Sequence, residues 1–378
     1  FMADCKVEKM VSSGSQQQYL FRNNNWGYFE NGVWNMVFAG VNVDTIPTGG
    51  WPYEPYTKEE TVPKIQEKPY LVYDEDNGYG VMVPEKRTEC QGISWENGVK
   101  GTFYSLNMFY VADAQKDNAD TINKALKEGK NLLLTPGIYT LDKPITVEEK
   151  DTIIYGMGLA TLVSTNGNAC MVTSDADGIK VCGVLFEAGD KQSETLLKVG
   201  NEKAEVSHSD NPICFSDVYF RVGGANYKGK VKNCVTINSN DVIGDNFWVW
   251  RADHGDNVGW DMNTAPNGIV INGDNVTMYG LFVEHFQEYQ TIWNGNGGKL
   301  YFYQSEMPYD APNQKYYMSH NGKVKGYASF KIGDEVNDFY GCGLGIYCYN
   351  RDANIEIFSG AEIPDKDGVE IRNIVTVK

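Results

Sequence analysis

Positive charge is in short supply in this 378-residue chain: 33 Lys and Arg stand against 50 Asp and Glu, for a net charge of −17. Nucleic acid and anionic membrane both demand a basic footprint, so neither is expected as a partner. A polyanionic substrate such as pectate is disfavoured on the same ground, whereas a neutral polysaccharide is compatible. Histidine is scarcer still, with four residues. The eight cysteines, Cys5, Cys90, Cys170, Cys182, Cys214, Cys234, Cys342 and Cys348, include no CxxC pair. That spacing argues against zinc, and no metal or cofactor is expected. Most of the thiols read as buried members of inward ladders, with one or two disulfides open if the protein is exported. No apolar run approaches the roughly 18 residues of a membrane span. The first residues, Phe1-Met-Ala-Asp-Cys-Lys-Val-Glu8, are neither an initiator Met nor a signal peptide and look like the inside of a strand. The chain therefore reads as beginning partway through a larger polypeptide.

Glycine (40) and tyrosine (24) are plentiful, and a short segment recurs. Val184-Leu-Phe-Glu187, Val218-Tyr-Phe-Arg221, Phe247-Trp-Val-Trp250, Leu281-Phe-Val-Glu284 and, as a fifth, Leu300-Tyr-Phe-Tyr303 begin 34, 29, 34 and 19 residues apart. Strand side chains alternate between faces. The first and third positions then point inward, leaving Tyr219, Arg221, Trp248, Trp250, Phe282, Glu284, Tyr301 and Tyr303 outward. A solvated strand face usually carries Thr, Ser, Lys and Glu. One lined with Trp, Phe, Tyr and Glu fits a ligand with apolar faces and many hydroxyls, which is a sugar.

Residues 117–129 read as a helix, with capping residues ahead, Ile122, Ala125 and Leu126 on one face and Gly129 as terminator. Short apolar strands broken by Gly and Pro follow at 131–141 and 152–159. A helix, then short strands, then coils of 19–34 residues predict an all-β fold, a parallel β-helix with a capping helix, in which each coil buries its neighbour's inner face. A propeller or sandwich would place its Asn-Gly pairs in hairpins. Those at Asn31, Asn97, Asn267 and Asn321 do not sit between paired alternating strands.

Glycosyl cleavage needs an acid to protonate the leaving oxygen and a base or nucleophile on the other side of the sugar. Candidates near the aromatic face are Asp253, just past its strand in Trp250-Arg-Ala-Asp-His254, Glu284 on the next coil, and Glu306 one coil further. Carboxylates one coil apart and displaced along the strand would lie roughly 6–10 Å apart, in the range of an inverting pair. Arg221 or Arg251 and the aromatics give reason for shifted pKa values. Against this, Asp253 and Arg251 could be a structural ion pair, and Glu284 and Glu306 solvated strand-edge acids. Asp274, in Asn272-Gly-Asp-Asn275, reads as a turn residue. His254 and His285 flank the site as sugar hydrogen-bonding groups or structural histidines.

Gln16-Gln-Gln18, Asn31-Gly-Val-Trp-Asn-Met-Val-Phe38, Glu67-Lys-Pro-Tyr-Leu71, Leu133-Leu-Thr-Pro-Gly-Ile-Tyr139, Gly156-Met-Gly-Leu-Ala-Thr161, Trp250-Arg-Ala-Asp-His-Gly255, Gly280-Leu-Phe-Val-Glu-His-Phe286 and Tyr309-Asp310 together resemble the bacterial laminarinases of glycoside hydrolase family 55. The resemblance runs over nearly the whole chain, in order. It implies a secreted or cell-surface exo-β-1,3-glucanase that inverts the anomeric centre, built from two right-handed, pectin-lyase-like β-helices with the site between them. On that resemblance, residues 1–45 are the last coils of a first β-helix, 46–110 an extended connector, and 111–378 the complete second helix. Glu306 resembles the general acid and Glu284 the residue that helps hold the attacking water, with Gln16 and Gln18 adding contacts from the first helix. Trp248, Trp250, Arg251, Asp253, His254, His285 and Tyr309 are the expected substrate-binding set. Ala39 stands where the pattern carries a hydroxyl. A neutral β-glucan is the expected partner, together with a complementary β-helix that supplies the missing half. The rival readings are a β-helix polysaccharide lyase and a non-catalytic carbohydrate-binding β-helix.

Overall fold

The computed structural model describes residues 1–15, 17–202 and 206–378. Most of the chain winds as a parallel β-helix. One long sheet runs in sequence order through Phe109–Ala112, Asn131–Leu134, Ile153–Ser164, Lys180–Glu187, Cys214–Val222, Ile243–Arg251, Thr277–Glu284, Gly298–Glu306, Phe339–Tyr347 and Val369–Val377. A second parallel sheet runs beside it from Ile145–Val147 to Ala361–Glu362. Between them stacks the core, with Phe186, Phe220 and Phe247 at ring separations of 4.9 and 6.2 Å. Asparagines ladder through the turns, Asn294 donating to Asn272 (2.9 Å) and Asn272 to Asn238 (2.8 Å).

The helix spans Ala119–Lys127 and closes the near end of this stack. Asn118 and Thr121 form a reciprocal capping box, and Ile122, Ala125 and Leu126 are buried against the first coils. Burying Ile122 and Leu126 contributes about 1.5–3 kcal/mol each.

A single backbone feature divides each long strand. At one register position every coil from Lys180–Glu187 onward carries a residue with positive φ: Gly183, Asp217, Asn246, Gly280, Phe302, Gly343 and Asn373, all between 52° and 69°. Gly, Asn and Asp adopt this conformation most readily. The turn breaks the two-residue alternation, so that Met278, Leu281 and Val283 all face the core. It also folds the outer surface into two faces.

Phe302 is the bulky exception in that column, and it overturns the expected register of the fifth segment. Leu300 stacks beside Met278, and Tyr303, not Leu300, stacks beside Leu281. Tyr303 therefore faces inward, fully buried, with its hydroxyl near Thr291 (3.1 Å) and Ser329. Tyr301 does face outward but is also buried, stacked on Tyr279 at 5.1 Å.

A smaller parallel stack precedes this one, with Met2–Ala3, Gln18–Arg22, Asn35–Ala39 and Tyr56–Glu59 in order and Lys6–Ser12 paired to Asn25–Glu30. It has its own aromatic core of Phe21, Trp26, Phe29 and Phe38. The segment joining the stacks forms two antiparallel ladders, Val62–Gln66 with Lys86–Cys90, and the meander Tyr70–Asp74, Gly78–Pro84 and Gly101–Ser105. All eight cysteines are free, six of them buried. Among the described residues no helix is long and apolar enough to cross a membrane.

The stacks meet along the face that precedes the positive-φ column. Leu20, Val37, Ala39, Val62 and Ile65 lie against Cys214, Ile243, Tyr279, Tyr301, Phe302 and Cys342. At Gly343 a Cβ would collide with the Val37 side chain, so glycine lets the two stacks approach closely here. Arg22 fastens this seam. Fully buried, it holds Glu67 through two bonds (2.7 and 2.8 Å) and Asp245 through two more (3.2 and 2.8 Å). Removing it leaves two buried carboxylates facing each other, which typically costs about 3–5 kcal/mol. Arg22→Met is expected to lose that amount in urea denaturation. Arg22→Met/Glu67→Gln/Asp245→Asn should recover most of it. A single variant as stable as the parent would show that the seam does not depend on this clamp.

Candidate active site

Beyond the positive-φ column, two outward columns run across the coils. One is Leu185, Tyr219, Trp248, Phe282, Gln304 and Gly345; the other is Glu187, Arg221, Trp250, Glu284, Glu306 and Tyr347. Neighbouring strands are about 4.8 Å apart. The second column thus presents, in consecutive steps, an indole, two carboxyls and a phenol. Glu284 and Glu306 sit in direct register, not displaced along the strand as the sequence reading allowed.

The first stack supplies the opposite wall. Ser15, Gln17 and Gln18 close a cleft of about 320 Å³ over Phe282, Glu284, Gln304 and Glu306. Gln18 lies across Gly345, where any Cβ would collide with its amide oxygen, and Asn35 donates to that oxygen at 2.9 Å. A hollow of about 540 Å³ beside Lys86 and Arg87 is larger, but no aromatic side chain lines it.

Each carboxyl has its own environment. Glu284 accepts a hydrogen bond from the Trp248 indole at 2.9 Å. Burial pushes its carboxyl up to about 7, reinforced by Glu306 and opposed by the indole and Gln304. Glu306 is also raised by burial, with the Tyr309 hydrogen bond working against it. The Tyr309 hydroxyl donates to Glu306 Oε2, and the Gln304 amide reaches Oε1 at 3.3 Å. Behind them lies His285. Its Nδ1 faces the Met307 carbonyl at 3.2 Å, and a carbonyl can only accept, so the proton sits on Nδ1. Nε2 then faces Asp253 (3.6 Å) and Glu306 (3.8 Å). Burial lowers the imidazole to about 4, keeping it neutral at ordinary pH. Burial also acts to raise Asp253, but His285, once protonated in acid, and the hydrogen-bonded His254 outweigh it and draw that carboxyl down.

Aromatic surfaces bracket the acids. Trp248 and Trp250 are stacked at 5.4 Å and 21°, with Trp248 42 % exposed and His254 5.2 Å from Trp250. On the far side, Tyr309 meets Tyr349 at 5.3 Å and Tyr347 at 6.4 Å. Among the described residues no three His, Cys, Asp or Glu side chains converge as metal ligands.

Most of the expected set comes together here: Glu284, Glu306, Trp248, Trp250, Asp253, His254, Tyr309 and Gln18. Gln16 lies outside the described residues. Arg251 is not on the open face. It is fully buried, bidentate to Asp310 (2.9 and 2.8 Å), and bonded to the carbonyls of Asn263, His285 and Gly259. Its ion-pair partner is thus Asp310, not Asp253. His285 is buried as well, with Nε2 turned toward Asp253 and Glu306. Ala39 is buried in the seam, four residues along its strand from Asn35, so a hydroxyl there would not line the cleft; Ser15 does. Asp274 caps a turn, accepting from the Asn296 amide at 2.7 Å. The sequence reading missed Gln304, Ser15, Tyr347 and Tyr349. Gln304 was legible in principle, two residues before Glu306 on an alternating strand.

Parallel coils with an acid pair and indoles on the outer sheet define a pectate lyase-like β-helix protein. The model of the LAM55 pectate lyase-like domain matches residues 109–306, and the chain belongs to that family. A curated relative, an exo-beta-1,3-glucanase from Streptomyces sp. (strain SirexAA-E / ActE), is 44% identical over all of this chain and 62% of its own length. The solved structure of sacteLam55A from Streptomyces sp. SirexAA-E superimposes with a TM-score of 0.94 at 45% identity, over 98% of this chain and 66% of that one. A glutamate-to-alanine variant of sacteLam55A in complex with glucose gives 0.93 at 44%, with the same coverage. The chain thus spans less than two thirds of the length of these relatives.

The raised pKa of Glu284 has a consequence for stability. With a folded value of about 7 against an ordinary 4.5, the folded chain keeps a proton that the unfolded chain has already released. Stability therefore drains as pH rises from about 4.5 to about 7 and then levels off. Glu284→Gln abolishes the drain and should gain up to about 3 kcal/mol over the parent at pH 8, with none at pH 4. Urea denaturation at the two pH values measures this. An equal gain at both would show that burial does not raise Glu284.

Proposed function

We propose that the chain forms the catalytic part of an exo-acting β-1,3-glucanase, cleaving laminarin-type glucan from a chain end with inversion. The observation that carries this reading is the column Trp250–Glu284–Glu306–Tyr347, walled by Gln18 from the smaller stack. Two carboxyls on neighbouring strands repel when both are charged, so near neutrality the pair shares one proton. Burial favours that proton on Glu284 at rest, while the productive arrangement has it on Glu306, which protonates the leaving oxygen, so substrate binding must move it there. Glu284, ionised, then orders water against Gln18 and Ser15, while the stacked indoles take the apolar faces of the pyranose rings. Asp253 and His254 lie at the rim and bind sugar hydroxyls.

The direct register of the acids favours one rival. Retaining pairs hold their carboxyls about 5–5.5 Å apart, closer than inverting pairs, and in such a pair Glu284 would attack carbon. The anomer of the first sugar released, read by proton NMR, decides between them: inversion supports the water-holding role, and retention makes Glu284 the nucleophile.

Secretion or cell-surface display fits a polysaccharide substrate too large to enter a cell. We also assign 1–59 to the end of a first β-helix, 60–108 to a connector and 109–378 to the second helix, because Tyr56–Glu59 pairs with Asn35–Ala39 and Phe109–Ala112 with Asn131–Leu134, which moves both strands out of the connector expected at 46–110. A complementary β-helical segment completing the smaller stack is part of the same reading. It is supported by the greater length of the relatives and by Met2–Ala3, which pairs along one edge only.

Reducing-sugar release from laminarin tests the activity itself. Glu306→Gln should lower turnover by about 10²–10⁴-fold with oligosaccharide binding nearly intact, and a substrate with an activated leaving group should recover part of the loss. A Gln variant with parental turnover removes Glu306 from the mechanism. Trp250→Ala should weaken oligosaccharide binding by about 1–3 kcal/mol without moving the melting transition. A collapsed transition would mean that the indole serves the fold and not the ligand.

A further inference from the structure

We infer that Gln304 is a positioning residue that holds Glu284 and Glu306 with one amide and so fixes how the pair shares its proton. The inference rests on the hydrolase reading above and deepens it.

Gln304 and Glu306 belong to one strand, two residues apart, so both project from the same face. Gln304 is only 8% exposed and stands in register between Phe282 and Gly345. Phe282 leans on Phe302 at 5.3 Å, and Gln18 covers Gly345, leaving the amide little room to turn. Its nitrogen reaches Glu306 Oε1 at 3.3 Å, and Glu284, whose carboxyl the amide acts to lower, lines the same cleft. A primary amide has two N–H groups, and here there are two carboxyls to receive them.

The amide oxygen gives an independent sign. It is buried and accepts no hydrogen bond from the described residues. A buried polar atom left unmade is costly in a fold, so this side chain is placed for its donors. Turned over, the oxygen would face both carboxyls, which is tolerable only if both are protonated. Turned as it is, the amide offers donors to the carboxyls, which favours a pair that carries negative charge. No other common residue does the same work. Asn is one methylene too short, Glu adds a third negative charge, and Met has the length but no donor.

The titratable groups around this amide are Glu284 and Glu306, with Tyr309, His285 and Asp253 behind Glu306. Among the described residues the smaller stack contributes the neutral Ser15, Gln17 and Gln18 to the cleft. Donation from Gln304 favours the ionised carboxylates, so its loss should raise the titration of both acids and blur the division of labour between them.

The test uses the full chain with Gln304→Met and a reporter that does not need turnover. The Trp248 indole N–H bonds Glu284 directly, so its nitrogen-15 NMR signal titrates with that carboxyl. In the Met variant its midpoint should rise by about one pH unit. The acidic limb of the kcat/KM profile on laminarin should shift the same way, and kcat should fall by about 10–100-fold while KM stays within about threefold. If Met crowds the strand, Gln304→Asn, which withdraws the amide, should give the same shift. An unmoved Trp248 midpoint with a parental pH profile overturns the inference. A parent that does not release sugar from laminarin, combined with a shifted Trp248 midpoint in the variant, sinks the hydrolase reading and leaves the coupling standing.

Discussion

Arg22 is the constraint on which the rest of the structure depends. Its strand, Gln18–Arg22, carries Gln18 at the other end, roughly 13 Å away along the chain direction. Its partner Asp245 lies on Ile243–Arg251, the strand that presents Trp248 and Trp250. One guanidinium therefore sets the position of the Gln18 wall relative to the indole platform, and Glu67 brings the connector to the same point. Two carboxylates share this single cation in a dry seam. Burial raises both; the guanidinium prevails at Glu67, while Asp245, which also feels Glu67, is pushed up to about 6. The joint is rigid because its groups have nowhere else to go.

The positive-φ column decides what each face of the coil becomes. Before it, Tyr279, Tyr301 and Cys342 are given over to the seam; after it, Trp248, Glu284 and Glu306 remain open. A β-helix without that bend would have one continuous outer sheet, and the smaller stack would cover all of it or none. The bend lets it cover the first face and overhang the second. That is how a surface of repeated strands acquires a cleft.

The sequence made some of this legible and hid the rest, for identifiable reasons. Coils with alternating apolar residues, the capped helix at Ala119–Lys127 and the outward position of Trp248, Trp250 and Glu284 follow from local periodicity, which acts over a few residues. The fifth coil was misread by three residues because Phe302 takes a conformation that a bulky side chain rarely adopts. Arg251 looked like a groove residue since it follows Trp250, but its partner Asp310 is 59 residues away. The clamp from Arg22 to Asp245 spans 223 residues, beyond the reach of any pattern. The burial of His285 between the Met307 carbonyl and Asp253 was likewise beyond what spacing reveals.

The site gains from being built on strands. Carboxyls on flexible loops would separate to relieve their repulsion, and each pKa would relax toward its ordinary value. Strand pairing forbids that, since Glu284 and Glu306 belong to backbones hydrogen-bonded along their whole length. What remains is to manage the repulsion locally. The indole of Trp248, the amide of Gln304 and the phenol of Tyr309 each donate to one or both acids. Neutral His285 blocks the rear without adding charge. A chain of net charge −17 thus keeps two acids side by side, with hydrogen-bond donors and not cations as their immediate company. That choice leaves a proton on the pair at neutral pH, where Arg or Lys in the same places would have stripped it away.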